Sequence, residues 1–264
     1  MNRLELHEEL ARAWAGRDPF EAARTQPGTL AKLKDGRRTL RFVLAGRGAY
    51  LKHHPGVGWR EIAKNLLQLR LPVLDAGQEY RAAQHLAARG VPCIRPLGFG
   101  VRGCNPATRR SFLVSAEIAG AVSLEQWCAR WRAHAPAPRE RRLLIERVAQ
   151  LVAAMHAAGV NHRDLYLCHL LLQPSTLAGA AHAADVELQL IDLHRAQLRA
   201  RVPRRWLAKD LGALWYSARD CALTPRERLR FLRVYAGGRP LRELLVRERR
   251  LLAAAERRME RLCR

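Results

Sequence analysis

The stretch Val160-Asn-His-Arg-Asp-Leu-Tyr-Leu-Cys-His169 decides how this chain of 264 residues is interpreted. It begins directly after Gly159, which ends a helix that an apolar stripe at three- and four-residue spacing predicts. The stretch is a loop crowded with polar side chains, and a carboxylate held in a loop, such as that of Asp164, can take a proton from a hydroxyl group. His162 is interpreted either as a packing residue of that loop or as a proton carrier. The sequence therefore predicts a catalytic loop with Asp164 at its centre.

The same residues match a motif of protein kinases. His162-Arg-Asp164 corresponds to the H-R-D of the kinase catalytic loop, and the fifth residue after the aspartate, an asparagine in kinases, is here His169. We expect His169 to be a catalytic-site residue that faces the metal or the phosphates, although imidazole binds Mg²⁺ less well than an amide or carboxylate oxygen. Downstream, the apolar segment Leu188-Gln-Leu-Ile-Asp192 ends where kinases place D-F-G. Asp192 is therefore predicted to hold the Mg²⁺ that bridges the phosphates of ATP.

The nucleotide-binding residues are predicted upstream of this loop. Lys52 ends a predicted strand. It is one of only five lysines among the 47 Lys and Arg residues, so a lysine at this position, where arginine would be usual for this chain, indicates that a compact ammonium is needed. We expect it to bind the phosphates of ATP and to pair with Glu79, which lies on a predicted helix over residues 75–89. The end of a later predicted strand would present the backbone of Glu117 and Ile118 to the adenine ring.

The order of these elements predicts the fold class. Strands are concentrated in the first half and helices in the second, which indicates an α+β, bilobal, protein-kinase-like fold. We expect a small sheet-containing N-lobe over residues 1–119 and a larger helical C-lobe over residues 120–264. The chain is expected to open with a helix over Leu4–Trp14, and Asp210, at the start of a late helix, is expected to anchor the backbone of the catalytic loop. The tail over residues 239–264 fits a packed helix and a membrane-surface helix equally well.

Composition excludes several classes of protein. Hydrophobic residues make up 48% and charged residues 27% of the chain, which is typical of globular proteins. No apolar run reaches the roughly 18–20 residues that cross a bilayer, and the first residues lack the apolar core of a signal peptide, so we expect neither an integral membrane protein nor an exported one. The six cysteines never form a C-x-x-C pair, which favours free thiols in a reducing cytosol.

The charge of the chain predicts a polyanionic partner. Lys and Arg number 47 against 24 Asp and Glu, a formal net charge of +23. Such an excess suits nucleic acid, an anionic membrane surface or a phosphorylated substrate. No RNP, KH or zinc motif supports nucleic acid. Arg201, Arg204 and Arg205 lie just past the Asp192 segment and are predicted to bind an anionic acceptor. On charge alone, a small acidic protein such as acyl carrier protein is a further candidate.

The resemblance extends beyond the general kinase pattern, to the Kdo/WaaP family of lipopolysaccharide kinases, and covers nearly the whole chain. Five stretches carry it: Gly58-Trp-Arg-Glu-Ile-Ala-Lys-Asn-Leu-Leu67, Arg70-Leu-Pro-Val-Leu74, Asn161-His-Arg-Asp-Leu-Tyr-Leu-Cys-His169, Ile191-Asp-Leu-His-Arg195 and Pro203-Arg-Arg-Trp-Leu-Ala-Lys-Asp-Leu211. The resemblance implies transfer of the γ-phosphate of ATP, with Mg²⁺, to the first heptose of the lipopolysaccharide inner core. It also implies a cytoplasmic protein bound peripherally to the inner membrane, and places His169 within the family's own pattern.

Two alternatives remain open at this point. The first is a kinase of Kdo, of another small molecule or of protein, because the residues do not reveal which sugar is bound. The second is a basic pseudokinase scaffold that binds nucleic acid or membrane. The presence of Lys52, Asp164 and Asp192 argues against a pseudokinase.

Overall fold

The structure is a computed structural model that describes residues 2–34, 36–67 and 73–264. Residues 70–72 of the family-like segment lie outside the described residues. The chain divides into two compact units. Unit 1 comprises Met1–Gln84 and Ile94–Ala119, and unit 2 comprises His85–Cys93 and Gly120–Arg264.

Unit 1 is built on a six-stranded antiparallel sheet. Its strands are β1 (Asn2–Leu6), β2 (Thr29–Lys34), β3 (Arg37–Leu44), β4 (Arg47–His54), β5 (Pro96–Arg102) and β6 (Arg110–Ala116). They are arranged in the order β1-β5-β6-β4-β3-β2. Strands β3 and β4 form a hairpin, joined by Ala45 and Gly46, which both have positive φ angles. Two such residues form the tight turn that matches the twist of a hairpin.

Four helices accompany this sheet: α1 (Glu8–Ala13), α2 (Pro19–Thr25), α3 (Gly58–Leu67) and α4 (Gly77–Ala87), the last three residues of which belong to unit 2. The rings of Trp14 and Phe20 pack edge-on against Phe112 of β6, at centroid distances of 5.4 and 5.3 Å. These contacts bury one face of the sheet beneath the N-terminal helices.

The predicted helix over Leu4–Trp14 is wrong in its first part. Asn2–Leu6 is a strand that pairs with β5, and α1 begins only at Glu8. The backbone groups of these residues complete one edge of the sheet, and the N–H of His7 continues the pairing to the carbonyl of Leu97 at 2.8 Å. Sheet pairing therefore overrides the local helical pattern.

Unit 2 is mainly helical. Its helices are α5 (Leu124–Ala129), α6 (Pro138–Ala157), α7 (Pro174–Gly179), α8 (Arg204–Ser217), α9 (Pro225–Tyr235), α10 (Leu241–Arg247) and α11 (Arg249–Cys263). Its short strands are β7 (Val122–Ser123), β8 (Val160–Asn161), β9 (Leu170–Leu172), β10 (Leu188–Leu190) and β11 (Gln197–Leu198). β9 pairs with β7 and β10, and β8 pairs with β11. A sheet-containing first unit and a helical second unit confirm the predicted α+β class.

The C-terminal helix packs within unit 2. Gly212 of α8 lies so close to α11 that a Cβ there would meet the carbonyl oxygen of Ala255 at 2.7 Å. Ala255 is fully buried. α11 is therefore a packed helix, which is one of the two alternatives for this segment. None of the helices in the described ranges is both long enough and apolar enough to cross a bilayer.

The observed units differ from the predicted division at residue 119 in one segment. Unit 1 does end at Ala119, but residues 85–93 belong to unit 2. A ring nitrogen of His85 donates to the carbonyl of Ala158 at 2.7 Å, and the N–H of Leu190 donates to the carbonyl of Pro92 at 3.0 Å. These hydrogen bonds attach the end of α4 and the following turn to the helical unit.

Candidate active site

Unit 1 carries a buried ion pair. The Nζ of Lys52, on β4, lies 2.7 Å from the Oε1 of Glu79, on α4, as the sequence predicts. The Glu79 side chain is only 1% exposed. Next to it, Tyr80 stacks on Phe99 of β5 at a centroid distance of 4.5 Å, which fixes α4 against the sheet. A buried carboxylate needs its cation, so the pair holds the ammonium of Lys52 in one position.

The predicted adenine contacts are only partly available. The N–H of Glu117 donates to the carbonyl of Gly48 at 2.9 Å, and its carboxylate accepts two hydrogen bonds from Arg41 at 2.7 and 2.8 Å. A side chain at Gly48 would collide with the Glu117 carboxylate, so this contact requires glycine. The N–H of Glu117 is therefore used within unit 1, whereas the backbone of Ile118 has no hydrogen-bond partner among the described residues.

Helix α8 holds the catalytic loop of unit 2 in place. Asp210 is fully buried, and its two carboxylate oxygens accept hydrogen bonds from the N–H groups of His162 and Arg163, both at 2.7 Å. Arg163 has a left-handed backbone conformation, with φ of 74°, which is costly for a residue with a Cβ. The hydrogen bonds from Asp210 stabilise that conformation. The predicted anchoring role of Asp210 is therefore confirmed.

His162 positions this loop. It is fully buried, and burial lowers its pKa. Its Nε2 donates to the carbonyl of Ile191 at 3.0 Å, so the neutral ring ties the catalytic loop to the residue just before Asp192. Of the two roles offered for His162, the contacts support packing and positioning rather than proton transfer.

Asp164 is oriented by Arg195, which no sequence motif indicates. Both of its carboxylate oxygens accept hydrogen bonds from Nη1 of Arg195, at 3.0 and 3.1 Å. Arg195 follows Asp192 by three residues and is half-buried. A charge-assisted pair of this kind holds the carboxylate in a defined orientation.

His169 links the two aspartates. Its Nδ1 donates to the backbone carbonyl of Asp164 at 2.8 Å, and its Nε2 lies 3.4 Å from the Oδ2 of Asp192. Burial alone would lower the pKa of His169, but hydrogen bonds with Cys168 and the Asp164 carbonyl, together with the charge of Asp192, raise it above its usual value. Asp192 itself has a left-handed backbone, with φ of 59°, and its Oδ1 accepts from the Nδ1 of His194 at 2.8 Å.

The pair of Asp192 and His169 can hold either a proton or a Mg²⁺ ion. Because Nδ1 of His169 is the donor to a carbonyl, neutral His169 directs the lone pair of Nε2 towards the Asp192 carboxylate. Two electron-rich atoms 3.4 Å apart are stabilised by a proton or a cation at that place. No group of three or more His, Cys, Asp and Glu side chains within the described residues forms a metal site. A metal at Asp192 would depend on phosphate and water oxygens, as Mg²⁺ usually does.

The three predicted acceptor-binding arginines have different surroundings. Arg204 pairs with Glu248 at 3.0 Å, so its charge is already offset. The guanidinium carbon of Arg205 lies 5.6 Å from the ring centroid of Trp206. Arg201 is exposed and makes no ion pair with any residue that the structure describes.

A model of the lipopolysaccharide kinase (Kdo/WaaP) family matches residues 21–235, most of the chain. The chain belongs to this family. The lipopolysaccharide core heptose(I) kinase WaaP of Pseudomonas aeruginosa is 50% identical over 260 residues, which are 98% of this chain and 96% of the relative. WaaP of Escherichia coli K12 is 44% identical over 259 residues, again 98% and 96% of the two chains.

A comparison with solved structures gives the same fold. A solved structure of WaaP in complex with acyl carrier protein matches with a TM-score of 0.83 at 45% identity. The match covers 98% of this chain and 99% of that one. The bilobal, protein-kinase-like fold is therefore confirmed, and the chain is a phosphotransferase of the Kdo/WaaP family.

Two features of this Kdo/WaaP site cannot be predicted from the sequence. One is the pairing of Arg195 with Asp164, and the other is the position of Trp206 among the cations that surround its ring. Arg195 lies in the stretch Ile191–Arg195, but an arginine in an arginine-rich chain gives no local signal. Only the adjacency of β8, β11 and α8 brings these side chains together.

Proposed function

We propose that this chain transfers the γ-phosphate of ATP to a hydroxyl of the first heptose of the lipopolysaccharide inner core. The observation that carries the proposal is the His169 bridge, because one side chain fixes both the predicted hydroxyl-binding aspartate, Asp164, and the predicted metal-binding aspartate, Asp192. Membership of the Kdo/WaaP family and nearly full-length similarity to heptose(I) kinases support the choice of acceptor.

The proposed nucleotide-binding residues are Lys52, Ile118, His169 and Asp192. Lys52, held by Glu79, would bind the phosphates, and the backbone of Ile118 would contact the adenine ring. Asp192 and His169 would hold Mg²⁺. When bound, the ion neutralises charge on the phosphates. The protein thus contributes by orientation and electrostatics rather than by a covalent intermediate.

The acceptor hydroxyl would be bound by Asp164. Its carboxylate is ready to accept a hydrogen bond from the hydroxyl and then its proton, and Arg195 keeps the carboxylate in one orientation. Arg201 and Arg205 would attract the anionic acceptor, with Arg204 contributing less because Glu248 offsets its charge.

The same proposal covers location and partners. The net charge of +23 suits the anionic cytoplasmic face of the inner membrane, where the acceptor would be met, and it suits a small acidic protein. Acyl carrier protein is the proposed candidate, because a solved relative is in complex with it.

The test is a transfer assay. Purified protein is incubated with labelled ATP, Mg²⁺ and lipopolysaccharide that lacks core phosphate, and the labelled sugar is identified by mass spectrometry. With wild-type protein we expect label on the first heptose, and with Asp192→Ala we expect no label. The affinity of Asp192→Ala for Mg·ATP, measured by calorimetry, should also fall. Label on Kdo alone, or equal labelling by Asp192→Ala, would contradict the proposal.

A further inference from the structure

Trp206, in the first turn of α8, is surrounded by positive charges. We call these four cations the Trp206 cluster: the guanidinium carbons of Arg163, Arg199 and Arg205 and the Nζ of Lys209, at 5.2, 6.0, 5.6 and 5.4 Å from the ring centroid. Cation–π attraction favours each of these contacts. Four like charges around one ring nevertheless repel one another, so the arrangement calls for a compensating anion.

The protein compensates these charges only in part: the charges of Asp164 and Asp210 favour the charged form of Arg163, and that of Asp164 favours the charged form of Lys209. Within the part of the chain that the structure describes, no member of the Trp206 cluster makes an ion pair, and Arg199 donates from Nη2 to the neutral amide oxygen of Gln197. The nearby carboxylate of Asp164 already accepts from Arg195. Burial and the charges of Arg163 and Arg195 lower the pKa of Lys209 to about 8. The ammonium of Lys209 is thus poorly stabilised in the protein alone.

The cluster also holds hydrogen-bond donors without acceptors. The Nε of Arg163, the Nε of Arg199 and the indole Nε1 of Trp206 are buried, and none has a hydrogen-bond partner among the described residues. The Nε of Arg258, whose charge acts on Lys209, is in the same state. Buried polar groups are normally satisfied, so several unsatisfied N–H groups among these cations favour an acceptor that is not part of the chain.

An anion for this site does not come from the neighbouring segment. In many kinases a phosphorylated residue of the segment after the metal-binding aspartate pairs with arginines. Residues 193–203 of this chain contain no Ser, Thr or Tyr, so this segment offers no hydroxyl for phosphorylation. Phosphorylation of this segment therefore does not supply the anion, which favours an anion carried by another molecule. Because Arg163 immediately precedes Asp164, an anion bound by Arg163 would lie near the hydroxyl that Asp164 is predicted to bind.

We propose that the Trp206 cluster binds an oxyanion, either a carboxylate or a phosphate group, that the sugar acceptor itself carries. Binding of this group would place the acceptor hydroxyl at Asp164. The inference rests on the proposed function and names the part of the acceptor that is recognised. An acidic protein that docks on these cations is the alternative that the test distinguishes.

The test measures acceptor kinetics for two single variants, Lys209→Gln and Arg199→Gln. The matched control is Arg233→Gln, which removes the same charge from an exposed arginine of α9. Three acceptors are compared: core lipopolysaccharide that lacks only the phosphate on the first heptose, the same material with its sugar carboxylates reduced to alcohols, and the same material with its remaining phosphates removed. Unfolding curves show that the variants retain the fold.

On the first of these acceptors we expect kcat/KM to fall by about 10-fold or more in each cluster variant, because a charge-assisted hydrogen bond is lost. The KM for ATP and the control variant should be unchanged. The deficit should vanish on whichever modified acceptor lacks the recognised group, which distinguishes carboxylate from phosphate. An equal deficit on all three acceptors, or a rise in the KM for ATP, would overturn the inference.

Binding of inorganic phosphate, followed by calorimetry, separates this inference from the proposed function. Wild-type protein should bind the probe, and Lys209→Gln and Arg199→Gln should bind it about 10-fold more weakly. If no lipopolysaccharide is phosphorylated but this difference is found, the proposed function fails while the anion site stands. If the variants lose affinity only for acyl carrier protein, the cluster is a protein-docking surface and the inference is wrong.

Discussion

Asp164 combines two properties at the scale of a single residue. It lies in a loop that Asp210 holds rigidly, and its carboxylate is oriented by Arg195. Neither contact blocks the carboxylate from accepting a further hydrogen bond, because each ionised oxygen accepts more than one. The residue is therefore fixed in place before any acceptor arrives.

Asp164→Asn should reduce kcat by about 10²-fold or more, because the amide keeps the size of the side chain but cannot take a proton. Affinity for ATP, measured by calorimetry, should stay close to that of wild type. Activity within about threefold of wild type would show that Asp164 is not the proton acceptor.

His169 is tested by comparing two substitutions. His169→Ala removes both the hydrogen bond to the Asp164 carbonyl and the nitrogen that faces Asp192, so turnover should fall while the unfolding midpoint changes little. His169→Asn should retain part of the activity, because an amide oxygen is a harder ligand for Mg²⁺ than imidazole. Equal activity of the two variants would argue against a role at the metal.

Lys209 gives the site a dependence on pH. The charged groups that act on it are Arg163, Arg195 and Arg258, which disfavour its ammonium, and Asp164, which favours it, and burial adds to the first effect. With a pKa of about 8, Lys209 is charged at neutral pH and loses its charge as the pH rises. The KM for the acceptor should therefore increase as the pH passes through about 8.

Lys209→Arg is the control for this pH dependence, because a guanidinium stays charged throughout the range. In that variant the rise in acceptor KM should be absent, with ionic strength held constant. A rise of the same size in wild type and Lys209→Arg would assign the effect to another group.

At the scale of elements, α8 serves three parts of unit 2. Asp210 holds the catalytic loop, Lys209 contacts Trp206 in the Trp206 cluster, and Gly212 allows the close approach of α11. These positions lie within two turns of one helix, so a small displacement of α8 affects all three.

Asp210→Ala should destabilise the protein by about 2–5 kcal/mol, because two buried N–H groups lose their acceptor. Asp210→Asn keeps one acceptor oxygen and should cost less. Urea unfolding measures both, and kcat should fall in the same order. If both variants unfold at the wild-type midpoint, the anchoring described here does not stabilise the fold.

The elements also show what could be predicted from the sequence. The hairpin of β3 and β4 and the helix α6 were predictable because turn residues and an apolar stripe are local signals. The strand β1 was not, because its partner β5 lies far along the chain and its own residues continue the pattern of α1. Asp164 and Asp192 could be identified because they lie in local sequence motifs. Arg195 could not, because only the fold brings it to Asp164.

At the scale of the whole molecule, the charge of +23 should make acceptor binding sensitive to salt. Exposed charges are screened over roughly 8–10 Å at ordinary ionic strength, so the affinity of wild type for acceptor should fall between about 0.05 and 0.3 M salt. Changing Arg201, Arg204 and Arg205 to Ala should raise the acceptor KM and make this dependence shallower, with the KM for ATP unchanged. Coincident salt slopes would place these arginines outside the acceptor site.

The scarcity of lysine across the whole molecule makes Lys209 chemically distinctive. With a pKa of about 8, roughly a fifth of this amine is neutral and nucleophilic near pH 7.4, against about one in a thousand for an ordinary lysine. Only four other lysine amines compete, and that of Lys52 is held in an ion pair. A mild acylating or aldehyde reagent at neutral pH should therefore modify Lys209 before the other lysines, which offers a covalent handle for inhibitors directed at the proposed acceptor site.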